Sequence, residues 1–317
     1  MSLFFVISAF TLCHSANSRT NEVSPYRNYY IRRFFRIAPL FYLWMMLTYF
    51  RDIILWDQYT PLKEILRSLF FVFNLSPAHA EGYVWASWTI GVEMLFYALF
   101  PVFLNWLTTT KKALAGVLAS ILLALLWHHT LLWLHSQFGP NSSTVHVENY
   151  YHMSFLHQLP VFIMGILIYR IHSAIKSRSI ESKMYVGCLV TFAVLHFILA
   201  YLSPQFSVDD KFYIQATAYC FLAVGLIHLP LRIMVNRVSV FLGEISYSVY
   251  LTHATAILLL QRYFDMIRVS GENSNITFYS ATLITYAVIV PISYGTYKMI
   301  EEPGTRIGKN LILKFSP

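Results

Sequence analysis

Long apolar segments, separated by short polar ones, run through nearly the whole chain. A helix needs about twenty apolar residues to cross a bilayer, and nine segments reach or approach that length. The pattern predicts an all-α, polytopic bundle of about nine transmembrane helices joined by polar loops. The predicted spans are residues 2–16, 39–56, 88–107, 112–134, 155–171, 184–202, 212–230, 240–260 and 277–299.

One apolar segment differs from the others. Residues 62–75 are too short to cross, and they include Lys63, Glu64 and Arg67. Their apolar positions nevertheless recur at helical spacing. The segment therefore predicts an interfacial or re-entrant helix that does not span the membrane.

Composition supports lipid as the solvent of most of the chain. Of the 317 residues, 57% are hydrophobic and 12% are charged, and the mean hydropathy is +0.54. Soluble domains carry about a quarter charged residues. The three cysteines lie in apolar runs and the twelve histidines form no zinc motif, so we predict neither a disulfide framework nor a metal site.

The positions of Lys and Arg predict the orientation of the bundle. If the 17–38 loop is cytoplasmic and residues 62–75 do not cross, seventeen of the 23 Lys and Arg residues lie on the cytoplasmic side and six on the other. This asymmetry is typical of membrane proteins. The net charge of +8 is thereby explained by membrane orientation, and no nucleic acid partner is predicted.

Two groups of charged residues in or beside the spans are candidates for chemistry. Arg33 and Arg36 are three residues apart, which places both guanidiniums on one helical face, where they can bind phosphate oxygens bidentately. The alternative is that they only mark the cytoplasmic side and contact anionic lipids. Glu93 is the only carboxylate well inside a predicted span. Such a group is costly unless it is paired with a structural partner or has a function.

A polar stripe lies in the segment GEISYSVYLTHA, residues 243–254. Ser246, Tyr247, Tyr250 and His253 fall close to one helical face, at spacings of three and four. A polar stripe in a span is expected to face the bundle interior, where His253 can act as a general base or a hydrogen-bond donor. The alternative is a structural histidine with all its hydrogen bonds made inside the bundle.

These segments resemble, in order, the motifs of the membrane-bound acyltransferase 3 family, which includes O-antigen and other polysaccharide O-acetyltransferases. SLFFVISAF resembles G-V-x-L-F-F-V-I-S-G-F, with Ala9 in place of the usual glycine. YIRRFFRIAPLFYL resembles R-R-x-x-R-I-x-P, and SWTIGVEMLFYALFPVF resembles W-S/T-L-x-x-E-x-x-F-Y-x-x-x-P. LGEISYSVYLTH resembles L-G-x-I-S-Y-x-I-Y-L-x-H, and IEEPGTRIGK resembles the closing I-E-x-P.

The resemblance implies transfer of an acyl group, expected to be acetyl, from acyl-CoA to a hydroxyl of a cell-envelope glycan or lipid-linked sugar. Acyl-CoA would be a co-substrate, with no bound cofactor or metal, and the protein would lie among the lipids of the bacterial cytoplasmic (inner) membrane. The implied site consists of Glu93 and His253 as catalytic residues, Arg33 and Arg36 for acyl-CoA, Trp88, Tyr97, Ser246, Tyr247 and Tyr250 as pocket-lining residues, and Glu301 and Pro303 as family-motif residues.

The family also opens with a span that carries an arginine and, ten residues later, a histidine thought to be the catalytic base. Nothing in this sequence matches that span. We therefore expect a single integral-membrane acyltransferase domain over residues 1–317 that is N-terminally incomplete and, as it stands, inactive for lack of that base. If the recorded start is an internal codon, the full-length protein is the expected enzyme; if the gene itself is truncated, the alternative is a catalytically inactive remnant of the family. A transporter of a lipid-linked sugar is the other alternative. Transporters favour internal repeats or paired broken helices, which the sequence does not have.

Overall fold

The fold is built from helices. The computed structural model describes residues 1–138, 144–176, 182–202, 207–269 and 274–315, and every regular element in these ranges is helical. The helices are α1 (Ser2–Asn17), α2 (Pro25–Trp56), α3 (Leu62–Leu69), α4 (Trp88–Trp106), α5 (Thr110–Phe138), α6 (Thr144–Met153), α7 (Phe155–Lys176), α8 (Ser182–Leu202), α9 (Val208–His228), α10 (Arg237–Glu244), α11 (Ser246–Val269), α12 (Ser274–Thr296) and α13 (Glu302–Lys314). A π-helical turn, Tyr297–Glu301, joins α12 to α13.

Eight of the nine predicted spans coincide with one helix each, and the all-α fold class is confirmed. The predicted span 240–260 is instead divided between α10 and α11, with a turn at Ile245. Among the described residues, six helical stretches are long and apolar enough to cross a membrane, so the chain is a multi-pass membrane protein. They are Pro25–Trp56, Trp88–Trp106, Thr110–Phe138, Thr144–Ile175, Met184–Tyr201 and Phe278–Lys314. The count of nine stays a prediction, because α1, α9 and α11 are not among the six.

The segment that was predicted not to cross contains a short helix. Helix α3 has 8 residues, which gives a length of about 12 Å against a hydrocarbon core of about 30 Å. The Tyr42 hydroxyl of α2 donates a hydrogen bond to the carbonyl oxygen of Leu69 at 2.8 Å. Phe71 then packs on Phe41 of α2, with ring centroids 4.8 Å apart. These contacts hold the segment along α2.

The chain forms two compact units, and each is described by itself. The first unit comprises Met1–Pro25, Asn74–Ala80 and Thr89–Asn236, and the second comprises Tyr26–Phe73, Glu81–Trp88 and Arg237–Pro317. In the first unit, α7 packs against α1, α5, α6 and α9, and α8 packs against α9. In the second unit, α11 packs against α12, which continues through the π-helical turn into α13. The expectation of a single domain stays a prediction.

Aromatic stacking fixes α1 and α4 against α7 in the first unit. The ring of Phe162 in α7 stacks on Phe5 of α1 at 4.5 Å and on Phe96 of α4 at 4.0 Å, and all three side chains are fully buried. One turn along α7, a Cβ atom at Gly165 would collide with the backbone carbonyl of Val6. The missing side chain at Gly165 therefore allows the backbones of α1 and α7 to approach closely.

Two glycines bring α13 close to α2 in the second unit. A Cβ atom at Gly304 would lie 2.8 Å from Cγ of Pro39 and 3.0 Å from the carbonyl oxygen of Phe35. A Cβ atom at Gly308 would lie 2.8 Å from Cβ of Phe35. Small residues four positions apart are a common means of close helix packing in membranes. The contact lies beside Arg36, so α13 supports the turn of α2 that carries the arginine pair.

Candidate active site

Glu93 lies at the centre of a buried hydrogen-bond network in the first unit. Its carboxylate oxygen Oε1 accepts a hydrogen bond from Ser8 Oγ at 2.8 Å and another from the hydroxyl of Tyr97. The oxygens of Ser8 and Tyr97 are themselves 3.3 Å apart. Glu93 is only 2% exposed. Hydroxyl donors favour the ionised carboxylate, which would otherwise be costly in apolar surroundings.

The network follows from the packing of apolar neighbours. Ser8 comes one turn after Phe5 in α1, and Glu93 comes one turn before Phe96 in α4. Residues three apart share a helical face, and both phenylalanines contact Phe162. The aromatic stack therefore places the serine hydroxyl beside the carboxylate.

The arginine pair lies on α2 in the second unit. The guanidinium of Arg33 lies over the ring of Tyr29, with its central carbon 6.0 Å from the ring centroid. Arg36 is exposed and lies within electrostatic range of the carboxylate of Glu301. Helix α2 is continuous through this region, so the two arginines keep the predicted spacing of about one turn. Binding of phosphate by the pair stays a prediction.

The polar stripe of α11 contacts the backbone of neighbouring segments. The Tyr247 hydroxyl donates to the carbonyl oxygen of Ile37 at 2.8 Å, and the Tyr250 hydroxyl donates to the carbonyl oxygen of Ala86. Nδ1 of His253 contacts the carbonyl oxygen of Tyr250. A carbonyl can only accept, so Nδ1 carries the hydrogen and Nε2 is the nitrogen that can take up a proton. The remaining predicted lining residues of this unit, Trp88 and Ser246, are half-buried.

A second buried carboxylate has a partner that the sequence analysis missed. Ser248 Oγ donates to Oε2 of Glu301 at 2.9 Å, and both residues are buried. Glu301 ends the π-helical turn, and Pro303 follows in the first turn of α13. Turns of this kind are frequent at functional sites. The only sequence signal for Ser248 was its place in a run of polar residues, which did not distinguish it from Ser246.

Comparison with known proteins identifies the family. A family model described as an acyltransferase domain matches residues 1–295. The chain belongs to this acyltransferase family. The predicted resemblance and the prediction of a membrane-bound acyltransferase enzyme are thereby confirmed.

Similar proteins have related names. A protein of Acidianus two-tailed virus, whose name proposes an acetyltransferase, is 23% identical over 257 residues, which cover 79% of the acyltransferase and 70% of the relative. Proteins of Staphylococcus aureus strains COL and MSSA476, whose names propose O-acetyltransferases, are each 21% identical over 329 residues and match 96% of the chain. The acyltransferase spans about half, 52%, of the length of these staphylococcal relatives. No solved structure matches it.

The acyltransferase also has a cluster of histidines to which the sequence analysis assigned no site. Nε2 of His157 lies 3.1 Å from Oδ1 of Asp209, and Nδ1 of His152 lies 3.5 Å from the same oxygen. His157 is fully buried at the start of α7. A sequence signal did exist, because six of the twelve histidines lie between residues 128 and 157.

The residue types of the cluster are those of a metal site, but its hydrogen bonds are those of a histidine that donates to a carboxylate. One ligand atom from each of His152, His157 and Asp209 falls within 4.8 Å of the others. Nε2 of Gln158, however, donates to the carbonyl oxygen of His152 at 2.7 Å and lies 3.1 Å from Nδ1 of His157. Nδ1 is therefore the acceptor, and the hydrogen on Nε2 points at Asp209. A metal at Nε2 would need the opposite tautomer.

The same contacts act on the titration of Asp209, at the start of α9. Burial alone would raise the pKa of its carboxyl. The hydrogen bond from His157 and the electrostatic influence of His157, His152 and His128 outweigh burial and hold the pKa of Asp209 below its usual value. The folded state therefore favours the ionised carboxylate.

Proposed function

We propose that the acyltransferase transfers an acyl group, expected to be acetyl, from acyl-CoA to a hydroxyl of a cell-envelope glycan or lipid-linked sugar in the bacterial inner membrane. Family membership supports acyl transfer, and the names of the staphylococcal relatives favour an oxygen acceptor. The observation that carries the proposal is the buried carboxylate of Glu93, which hydroxyl groups of two helices approach.

Glu93 has the chemistry that the reaction needs. Acyl transfer to a hydroxyl requires a base for the hydroxyl proton and donors for the oxyanion that forms on the carbonyl. Glu93 accepts the proton in this proposal, and Tyr97 holds the carboxylate through its hydrogen bond. His253 is a second candidate for the proton acceptor, since its Nδ1 is engaged with the carbonyl oxygen of Tyr250 and leaves Nε2 as the acceptor nitrogen.

The arginine pair suits the charged donor. Acyl-CoA carries a pyrophosphate and a further phosphate, and guanidiniums bind phosphate oxygens through paired hydrogen bonds. Arg33 and Arg36 lie on the side predicted to be cytoplasmic, where acyl-CoA is made. Glu301 offsets part of the charge of Arg36, so we expect the two arginines to contribute unequally to donor binding.

The test measures transfer of labelled acetyl from acetyl-CoA to envelope glycan in membranes that contain the protein. We expect Glu93→Gln to lower turnover by about 10²–10⁴-fold, the usual contribution of a general base. Glu148→Gln is the matched control, because Glu148 is a partly exposed carboxylate of the same unit that pairs with His128. The 317-residue chain is assayed beside a form extended upstream in its gene.

The outcomes separate the parts of the proposal. Transfer by neither form contradicts the proposed function. Transfer by the extended form alone supports the function and shows that residues upstream of Met1 are needed, whereas transfer by both forms places every essential group within residues 1–317. Equal turnover by wild type and Glu93→Gln removes Glu93 from the chemistry.

A further inference from the structure

Ser8 and Glu93 have the geometry of a nucleophile and its base. The Ser8 hydroxyl points its hydrogen at the carboxylate over 2.8 Å, within the range of about 2.6–3.2 Å that such pairs show. Tyr97 donates to the same carboxylate oxygen and so orients it. A hydroxyl, a base and a third group that holds the base are the three parts that activated serines share.

The packing of α1 does not depend on this hydrogen bond. Phe5 stacks on Phe162, and Gly165 allows close contact with the backbone of Val6. Ser8 stands in an otherwise apolar run, residues 3–10. Ser8 is half-buried, whereas Glu93 is 2% exposed, so Ser8 is the more exposed residue of the pair.

We propose that Ser8 takes up the acyl group as a covalent ester and passes it to the acceptor. The proposal rests on the proposed function, because it assumes an acyl-CoA donor and a hydroxyl acceptor. A covalent intermediate divides one difficult transfer into two easier ones. It also allows a charged cytoplasmic donor and a glycan acceptor to bind in turn, so that both need not occupy the bundle together.

The two half-reactions balance without any further reactant. In the first, the proton of Ser8 moves to Glu93, the serine oxygen attacks the thioester carbonyl, the carbon–sulfur bond breaks, and the leaving thiolate takes the proton from Glu93. In the second, the acceptor hydroxyl gives its proton to Glu93 and its oxygen attacks the serine ester. The bond between the acyl carbon and the Ser8 oxygen then breaks, and that oxygen recovers the proton.

The decisive measurement is isotope exchange without an acceptor. Labelled CoA is incubated with unlabelled acetyl-CoA and the protein in lipid nanodiscs, in the form of the chain that transfers acetyl in the glycan assay. We expect label to appear in acetyl-CoA, because the first half-reaction is reversible. Acid quenching and peptide mass spectrometry are expected to find an acetyl group on Ser8.

Two variants keep the proposal testable. Ser8→Ala is expected to abolish exchange, acetylation and transfer, whereas Ser8→Cys is expected to keep a nucleophile and to accumulate a thioester that hydroxylamine cleaves. Thr11→Ala is the control, since the Thr11 hydroxyl donates to the main-chain carbonyl of Ser8 at 3.0 Å, so that this variant alters the surroundings of Ser8 but keeps the Ser8 hydroxyl. Transfer to glycan by a well-folded Ser8→Ala protein, or transfer by wild type without exchange or acetylation, overturns the covalent step and leaves the proposed function standing. If the wild-type protein transfers no acetyl group to glycan, both the covalent step and the proposed function are refuted.

Discussion

The carboxylate of Glu93 is held in an apolar bundle by hydroxyl groups, and the Tyr97 hydroxyl can be removed with little change of shape. We predict that Tyr97→Phe lowers turnover by about 10–100-fold, since a hydrogen bond to a charged group contributes about 1.5–3 kcal/mol. The KM for acyl-CoA is expected to stay unchanged, because in the proposed mechanism Tyr97 holds the Glu93 carboxylate and does not bind the phosphates of the donor. Steady-state kinetics against Tyr286→Phe, at an exposed position, provide the measurement. A turnover equal to that of the control would show that the Tyr97 bond is only structural.

The arginine pair can be tested one side chain at a time. We predict that Arg33→Ala and Arg36→Ala weaken the apparent affinity for acyl-CoA by about 10–100-fold, equivalent to about 1.5–3 kcal/mol for a lost charge-assisted bond. The smaller loss is expected for Arg36→Ala, because Glu301 offsets part of the charge of Arg36. Arg33→Lys is expected to keep only part of the wild-type affinity, because an ammonium group cannot bind two phosphate oxygens through the paired hydrogen bonds that a guanidinium forms. Arg32→Ala is the control for topology, since it removes a neighbouring positive charge. Wild-type affinity in a membrane-inserted Arg36→Ala protein would leave that arginine as an orientation signal.

Some residues of the candidate site can be predicted from the sequence, and others cannot. Glu93 could be predicted as a site residue, because an ionisable group inside an apolar run is costly and therefore conspicuous. Its partner Ser8 could not, because hydroxyl residues are unremarkable in spans and the pair is 85 positions apart. The contact of Phe5 and Phe96 with one ring of α7 brings the two together.

At the scale of helices, the contact between α13 and α2 is the clearest case of packing that supports a candidate site. We predict that Gly304→Ala lowers the apparent melting temperature in detergent and weakens acyl-CoA binding, because the new methyl group must displace Pro39 or the carbonyl of Phe35. Gly295→Ala is the matched control, since nothing lies within 4 Å of its added Cβ. That variant is expected to be neutral or slightly stabilising, as alanine favours helix. Equal melting temperatures for the two variants would contradict the close contact.

The hydrogen bond between α7 and α9 predicts a pH dependence. Asp209→Ala leaves the buried Nε2–H of His157 without its acceptor. Loss of such a partner lowers the free energy of unfolding by about 1–3 kcal/mol. We expect a value near the lower end of this range, because Asp209 is itself partly exposed. The folded pKa of Asp209 is lowered, so its contribution is complete above the ordinary value of 3.8 and is lost as the pH falls through the folded value. Melting curves of wild type and variant should therefore converge only in acid. Asp209→Asn keeps an acceptor oxygen, so its melting temperature near neutral pH is expected to lie between those of wild type and Asp209→Ala.

At the scale of the molecule, the predicted topology is open to direct measurement. We predict that cysteines at Lys111 and Val208, introduced into a cysteine-free background, react with membrane-impermeant reagents from opposite sides, with Lys111 cytoplasmic. Lys111 lies at the start of α5 and Val208 at the start of α9. Labelling of both from one side would refute the orientation inferred from the distribution of Lys and Arg.

Apolar length predicted the helices of the fold well, because a membrane leaves the backbone few alternatives to helix. It predicted their number and grouping less well. Segments such as α9 and α11 contain charged or polar residues at one end, so length and hydropathy alone do not decide whether they cross. The two compact units were not predicted, since they combine segments distant in sequence. The histidine cluster was missed because its members belong to different helices and form no motif.

The π-helical turn at Tyr297–Glu301 has a consequence for how the protein can evolve. Such a turn accommodates one more residue than an α-helical path, and removing a residue from it would rotate all that follows by about 100°. The rotation would carry Gly304 and Gly308 away from α2, and Glu301 away from Ser248. Surface loops absorb insertions and deletions readily, but here the residue count itself sets the contact. We therefore expect homologous chains to vary in residue type across this turn far more readily than in length.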